Sequence, residues 1–483
     1  MIPGQPQIQR IEPGSFRAHE HWYPKALNAA IHPMIQFFLN LDNQLIIDRY
    51  CHLHPVVKPG KLRQLLDYLP AYFPWSGADL INVTNMRGKK QMVVIENNSC
   101  PSGQKSMPLL SEQMEKGGYQ QLIEKSFGPY CRMHEIPNNE VLAVFYDKNL
   151  MENSGYASVM ADHFRRPVYL VPFFENYDND YIRLQKDKIQ IRVDGHQWKS
   201  VYAAFRYVTQ KPWNRIPVAT KTKIYNPIIA CLAGGRNKLL AAKAYAELND
   251  ELKSTGLKIR TPETICDVTK KEIPGLVKQF GGHAVIKVPY SNAGQGVYTI
   301  VNKEELHDFM EEDFEYKRFI VQSLIGHYNW SSKSKSGKFY HLGTIPDSKG
   351  ETYVFDLRMM VCATPSGFRP LSVYSRRAER PLSNEVENGN HSWDMLGTNL
   401  SHKLDSGDWT TDTHRLMLMD RRDFNKLGLG LDDLIEAYIQ TVLSTIAIDH
   451  MAKELVNDKG KLRKKKFKAF DNDPLLLHEI LDG

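Results

Sequence analysis

The chain lacks what would place it in a membrane or a disulfide-built scaffold. Among 483 residues only six are cysteine, at 51, 100, 131, 231, 266 and 362. None belongs to a Cys-x-x-Cys pair, and several sit in apolar runs where a free thiol behaves as a small hydrophobe. Neither a disulfide framework nor a zinc cluster is expected. His19-Glu-His21 and Cys51-His-Leu-His54 look like fragments of a metal site but have no partners at useful spacing, so they read as surface or capping histidines. Long hydrophobic runs are missing too. Val141–Tyr146 and Pro167–Phe174 are strand-sized, far short of the roughly 20 residues that cross a bilayer. The opening Met1-Ile-Pro-Gly-Gln-Pro has no basic-then-apolar leader pattern, so the expected compartment is the cytoplasm, with no membrane partner. Internal repeats and low-complexity stretches are also absent. Charge of one sign is in small excess, +7 overall. The densest basic run, Lys461–Lys468, follows the turn-like Asn457-Asp-Lys-Gly460 and has no interleaved aromatic surface. It reads as a solvated hairpin edge, and no nucleic-acid partner is expected.

What is present is a 42% hydrophobic content and a length sufficient for two or three packed lobes. Helical patterns over Ala26–Asn43 and Lys61–Tyr68 precede a strand at Gln91–Glu96. Short strands follow, at Val141–Tyr146, Pro167–Pro172, Ile189–Val193 and Val201–Tyr207, with Asp194-Gly195 as a turn signal between the last two. A helix is expected over Asn237–Leu252, strands flank a small-residue turn within Ala284–Ile300, and a strand starts at Phe319. Ser331–Lys338 reads as a mobile polar loop. Further strands around Val354–Cys362 and Leu371–Arg376, a long helix over Leu431–Val456 and a last strand ending at Phe470-Asp-Asn-Asp-Pro complete the pattern. This alternation predicts an α/β or α+β multilobed enzyme.

The segment Ala284-Val-Ile-Lys287-Val-Pro-Tyr-Ser291-Asn292-Ala-Gly294-Gln295-Gly296 carries the strongest chemical signal. Lys287 interrupts an apolar strand, where an ammonium is costly unless an anion lies beside it. The small residues that follow can bring backbone N–H groups against phosphate oxygens. The alternative is a plain hairpin with an edge lysine. It is not a P-loop, because the lysine precedes the glycines and no helix opens after them. Lys238, in preference to Arg236, is a second candidate cation after the Gly234-Gly235 pair. Gln322-Ser323-Leu324 forms a linker strand whose backbone groups could read an adenine edge. Glu96 and Asn98, two apart on a strand, present oxygens to one face, as a hard cation such as Mg2+ requires; a turn-capping pair is the alternative.

In the order of these segments the sequence resembles the ATP-grasp superfamily, from about Gly234 to Arg377, and most of all its glutathione-synthetase-like and circularly permuted carboxylate–amine ligases. Glu96-Asn-Asn98-Ser-Cys-Pro-Ser102-Gly103 is similar to the acid-x-Asn strand and Pro-Ser-Gly turn that permuted members place before their lysines. Val193–Tyr207 is similar to the segment entering their substrate lobe. The resemblance implies an ATP-grasp fold with two lobes clamping ATP plus an N-terminal α/β domain, ATP and Mg2+ as cofactors, and an acyl-phosphate mechanism. The expected divisions are 1–135, carrying the Glu-x-Asn strand, 136–225 as substrate lobe, and 226–330 and 331–483 as the two ATP-grasp lobes. The implied roles are nucleotide binding by Lys238, Lys287, Ser291, Asn292, Gly294, Gln295, Gly296, Gln322, Ser323 and Leu324. Arg358, on the Asp356-Leu-Arg358 strand, would hold the transferring phosphoryl group or the substrate carboxylate, with an internal ion pair as the alternative, and Arg376 would steady phosphate. Arg206 and Ser102 would contact substrate, and the metal would be held by Glu96 and Asn98, with Asp471 and Asp473 as a second acid pair. The loop glutamate of glutathione-synthetase-like members is replaced here by Ser291-Asn292, which bears on metal stoichiometry. The expected partners are a small-molecule carboxylate and amine; a homodimer is one option for an oligomeric state the sequence leaves open. A small-molecule phosphotransferase and an ATP-binding pseudoenzyme are the competing readings.

Overall fold

A computed structural model describes residues 7–111, 114–174, 181–193, 197–209, 213–290, 296–386, 391–403 and 409–481. It is a mixed α/β structure built on three larger sheets.

The first is seven-stranded and has a parallel centre. Val168–Pro172 and Gln197–Tyr207 flank Val141–Tyr146, and Lys223–Tyr225 extends the far side. All six residues of Val-Leu-Ala-Val-Phe-Tyr are buried, the continuous apolar run that a parallel strand covered on both faces requires. The turn at Asp194-Gly195 lies outside the described residues, but Val193 pairs with Gln197 across it.

The second sheet, antiparallel and six-stranded, runs Phe339–His341, Trp75–Asn85, Phe355–Thr364, Gly367–Arg377 and Leu416–Met417, with Gln91–Ser99 also paired to Trp75–Asn85. It therefore draws strands from both the 1–135 and the 331–483 segments. The third sheet, four-stranded, orders as Thr264–Val268, Phe319–Ser323, Ala284–Lys287, Val297–Ile300. The helix Leu431–Leu455 is nearly all buried. Its Ser444 and Glu436 take hydrogen bonds from Asn97 Nδ2 (2.7 Å) and the Met92 N–H (3.3 Å) of the Glu96 strand.

Three local expectations are corrected. The helical pattern over 26–43 is broken into Pro24–Leu27, Pro33–Asn40 and a new helix from Asn43. Pro33 forces His32 into an extended conformation, and Asp42 caps the next start by accepting from the Leu45 N–H at 2.8 Å. The last strand is instead the helix Lys464–Phe470, with Phe467 as its buried anchor. The basic run is thus largely helical, and Lys466 pairs with Glu454 at 2.6 Å. The polar stretch from Ser331 is packed at its start only: Ser331 and Ser332 are buried and bonded to the linker described below, whereas Lys333 and residues 335–337 are exposed.

Candidate functional site

The site lies between the six-stranded and four-stranded sheets. Directly opposed residues on adjacent strands point to one face. Asp79 opposes both Arg358 and Glu96, and Asp356 opposes Arg376, so five charged side chains converge on one surface of the larger sheet. Arg358 donates from Nε and Nη2 to the two carboxylate oxygens of Asp79, at 2.6 and 2.7 Å. Arg376 bonds Asp356 and lies 3.0 Å from Asp79. Burial opposes the charge on Asp79, but the two guanidiniums prevail and hold the carboxyl well below its usual range. Two arginines and two aspartates cancel, which makes burial of the cluster tolerable.

Glu96 and Asn98 lie beside this cluster. The register slips between Asp79 and Leu80, where Glu96 opposes Asp79 but Val94 opposes Leu80, so Ile95 is the extra residue of a bulge. Past the bulge Glu96 and Asn98 share the Asp79 face, whereas Asn97 turns to the long helix. Asn98 Nδ2 donates to Asp79 at 3.4 Å, leaving its carbonyl oxygen to act with the Glu96 carboxylate. Among the described residues no group of three or more His, Cys, Asp or Glu side chains could hold a metal. Two oxygen ligands fit Mg2+ in one circumstance, when substrate phosphates complete its shell.

Across the cleft, Lys287 is 4% exposed and its Nζ donates to the Ile95 carbonyl at 3.3 Å. Burial pushes its ammonium down to about 8; Glu96 partly restores the charge and Lys238 opposes it. Burial also lowers Lys238, again with Glu96 acting to raise it. Lys238 begins a helix, and its backbone N–H donates to the Pro289 carbonyl at 3.1 Å. The helix start is thereby tied to the strand that leaves Lys287. Asn237 caps that helix, accepting from the Leu240 N–H at 3.0 Å. The preceding glycines have a steric reason. Gly234 has φ +144°, and a Cβ on Gly235 would sit 2.7 Å from Ser99 Cβ, so only glycine lets this helix approach the Glu96 strand. Ser291, Asn292, Gly294 and Gln295 lie outside the described residues. Gly296 closes the hairpin at φ +67°, its carbonyl accepting from the Val288 N–H at 2.7 Å.

Two cavities of 680 and 180 Å³ meet here, sharing Ile95, Glu96, Pro262, Lys287 and Gln322 as common wall. The larger runs along the Lys238 helix, and the smaller reaches Asp79, Arg358 and Arg376. Gln322 donates to Thr264 Oγ1 at 2.9 Å, and the Ser323 N–H donates to the Glu263 carbonyl at 2.8 Å. Leu324 is engaged by the packed Ser332: its N–H donates to Ser332 Oγ at 2.7 Å and its carbonyl accepts from the Ser332 N–H at 2.9 Å.

Other expected residues do not line the two cavities. Arg206 is fully buried, donating to the carbonyls of Asn226 and Val208 and to Cys231 Sγ; it holds the seven-stranded sheet to its surroundings and lines neither cavity. Asp471 and Asp473 sit between two helices. Asp473 accepts from the N–H groups of Leu475 and Leu476, at 3.0 and 3.3 Å, as a cap does, and burial pushes Asp471 up to about 6. Neither acid lines either of the two cavities described above, although Asp471 hydrogen-bonds the side chain of Asn237, the cap of the Lys238 helix. Ser102 is closer: its carbonyl accepts from Tyr374 OH at 3.0 Å, and that hydroxyl in turn accepts from Arg358 Nη1 at 3.2 Å. A Cβ on Gly103 would come 2.8 Å from the Tyr374 ring. Glu152, fully buried, pins this turn by accepting from Ser102 Oγ and from the N–H groups of Gly103 and Gln104, at 2.8, 3.0 and 3.0 Å.

Asp79 and Glu152 were missed by sequence reasoning. Asp79 carries the signal that singled out Lys287, a charge inside the apolar strand Trp75–Asn85. Glu152 falls in an ordinary helix.

No protein-family model and no curated protein sequence matches the chain. Among solved structures it is similar to ATP-grasp proteins. One is a glutathione synthetase-like effector from Globodera pallida in its apo form, with TM-score 0.40 and 10% identity over 72% of this chain and 86% of that one. A second is a RimK domain ATP-grasp protein from Sphaerobacter thermophilus, with TM-score 0.29 and 13% identity over 48% and 89%. A third is D-alanyl-alanine synthetase A from Vibrio cholerae, with TM-score 0.30 and 10% identity over 55% and 95%.

Proposed function

We propose that this chain is an ATP-dependent, ADP-forming ligase that joins a small-molecule carboxylate to an amine through an acyl phosphate. The observation that carries the reading is Lys287. It is a buried ammonium, depressed by burial, in a cleft that also holds Lys238, Glu96 and a paired-arginine cluster. A cation kept at such cost is matched by a polyanion that enters the cleft.

Lys238 and Lys287 would offset triphosphate charge. Glu96 and Asn98 would hold Mg2+, whose contribution when bound is charge neutralisation on phosphate oxygens. Arg358 would face the transferring phosphoryl group; its orientation is held by Asp79 before any ligand arrives, so it would need no reorganisation. Arg376 supports it from the next strand. In the transfer, a carboxylate oxygen of the acid attacks the γ-phosphorus and ADP leaves. The amine then attacks the acyl carbon, phosphate departs, and a proton is lost from nitrogen.

The test is an ADP-release screen over acid and amine pairs drawn from amino acids, small peptides and polyamines. ADP release that requires both partners, and that is abolished in a folded Lys287→Ala variant, supports the ligase. ADP release with one acceptor and no amide formed identifies a phosphotransferase. Nucleotide binding without turnover on any pair identifies a pseudoenzyme.

A further inference from the structure

A third cation stands near Arg236 and Arg358. Lys148 follows the central parallel strand Val141–Tyr146, at the edge where the neighbouring strand Gln197–Tyr207 also ends. The chain leaves these two strands toward opposite sides of the sheet, the first to Val168–Pro172 and the second to Lys223–Tyr225. The crevice outside the carboxyl ends of two such strands is where open α/β sheets hold ligands. Asp147 pins the two ends together, its carboxylate accepting from the Thr209 N–H at 2.7 Å and from Arg215 Nη2 at 3.1 Å.

The next residue ties this edge to the site. Asn149, at φ +58°, donates from Nδ2 to Ser102 Oγ at 3.2 Å and to Glu152 at 2.8 Å. The Ser102 carbonyl reaches Arg358 through the Tyr374 hydroxyl. Lys148 is thus one residue from a hydrogen-bonded chain that ends on Arg358. Its ammonium belongs to a half-buried side chain and makes no hydrogen bond or ion pair among the described residues. Burial pushes it down to about 8; Arg236 and Arg358 act in the same direction, and Asp147 opposes them. Arg236 lines the larger cavity and Arg358 the smaller. The carboxylates on either side of Lys148 in the chain are engaged elsewhere, Asp147 by Thr209 and Arg215, Glu152 by the Ser102 turn. Three cations gathered out of water repel one another, and an anion bound among them offsets that repulsion.

We propose that Lys148 binds a second anionic group of the acid substrate, so that the acid joined by this ligase is a dicarboxylic acid. One carboxylate lies at Arg358 and is activated; the other lies at Lys148. The inference rests on the ligase reading above and names the class of its acid. A neutral amide in place of the second carboxylate would leave the Lys148 ammonium desolvated without an anion.

The test is ADP release by the full chain with Mg2+ and ATP, the amine found in the screen, and matched acids: succinate against succinamate, glutarate against glutaramate, L-glutamate against L-glutamine. Wild type is expected to favour the dicarboxylate of at least one pair by on the order of tenfold or more in kcat/KM. Lys148→Met, with folding checked by circular dichroism, loses that preference through a raised KM for the dicarboxylate while the KM for ATP stays at its wild-type value. Lys148→Arg retains the preference. Turnover of acids with a single carboxylate as fast as, or in place of, the dicarboxylates overturns the second-anion contact and leaves the ligase standing, as does a preference that survives Lys148→Met. No ADP release from wild type with any acid and amine overturns both.

Discussion

Asp79 and Arg358 stand directly opposite each other on neighbouring antiparallel strands and are joined by two hydrogen bonds, 2.6 and 2.7 Å long. The pair fixes the guanidinium plane at the base of the cleft, and Arg376 shares the same carboxylate.

Removing that carboxylate leaves two buried guanidiniums with only Asp356 between them. Asp79→Asn is expected to destabilise the protein by about 3–5 kcal/mol, read as a lowered midpoint in urea unfolding. Arg358→Lys cannot make the fork and loses turnover while retaining more stability than Asp79→Asn. Equal stability losses in the two variants would count against the carboxylate as the keystone.

Lys287 links stability to pH in a defined direction. Its folded value is about 8, whereas an unfolded chain titrates it at about 10.4. Between these values the unfolded chain binds a proton that the fold does not, so this residue makes stability rise with pH across that window and imposes a constant penalty below it. Lys287→Met is therefore expected to be more stable than wild type at pH 7, by up to about 3 kcal/mol, with the advantage fading toward pH 10. The same variant loses nucleotide binding. Urea unfolding at the two pH values and nucleotide titration check both halves.

Glu96 and Asn98 are the proposed metal oxygens, and among the described residues no group of three or more His, Cys, Asp or Glu side chains could hold a metal. Mg2+ alone is thus expected to leave the melting temperature unchanged, whereas Mg2+ with ATP raises it beyond ATP alone. Glu96→Gln removes that increment. A melting shift with Mg2+ in the absence of nucleotide would show a preformed metal site that this donor set does not supply.

Arg206 is expected to act on folding and not on substrate. Arg206→Met strands the carbonyls of Asn226 and Val208 in the interior, at a cost of about 2 kcal/mol or more. The Michaelis constants of the folded fraction stay at wild-type values. A raised Michaelis constant for the acid at unchanged stability would restore Arg206 as a substrate anchor.

The amino-acid sequence by itself determined many of the elements and several of the residues that meet at the cleft. Period and composition marked the all-apolar run at 141–146 and the helix that became Leu431–Leu455. A cation in an apolar strand drew attention to Lys287, and i, i+2 spacing put Glu96 and Asn98 on one face. These are local signals, set by side-chain period and by the cost of burying charge, and so they survive in one dimension.

Tertiary structure decided what depends on register and long-range pairing. Asp79 becomes part of the site only because its strand lies between those of Glu96 and Arg358, 17 and 279 residues further along the chain. The last apolar-basic stretch became a helix because Phe467 had a core to enter. Arg206 was enclosed because the Asn226 carbonyl and Cys231 Sγ, 20 and 25 residues away, joined the nearby Val208 carbonyl around its guanidinium. A strand pattern states which way a side chain alternates, but not which strand will lie beside it, and it is the neighbouring strand that determines whether a charge is paired, buried or presented to a ligand.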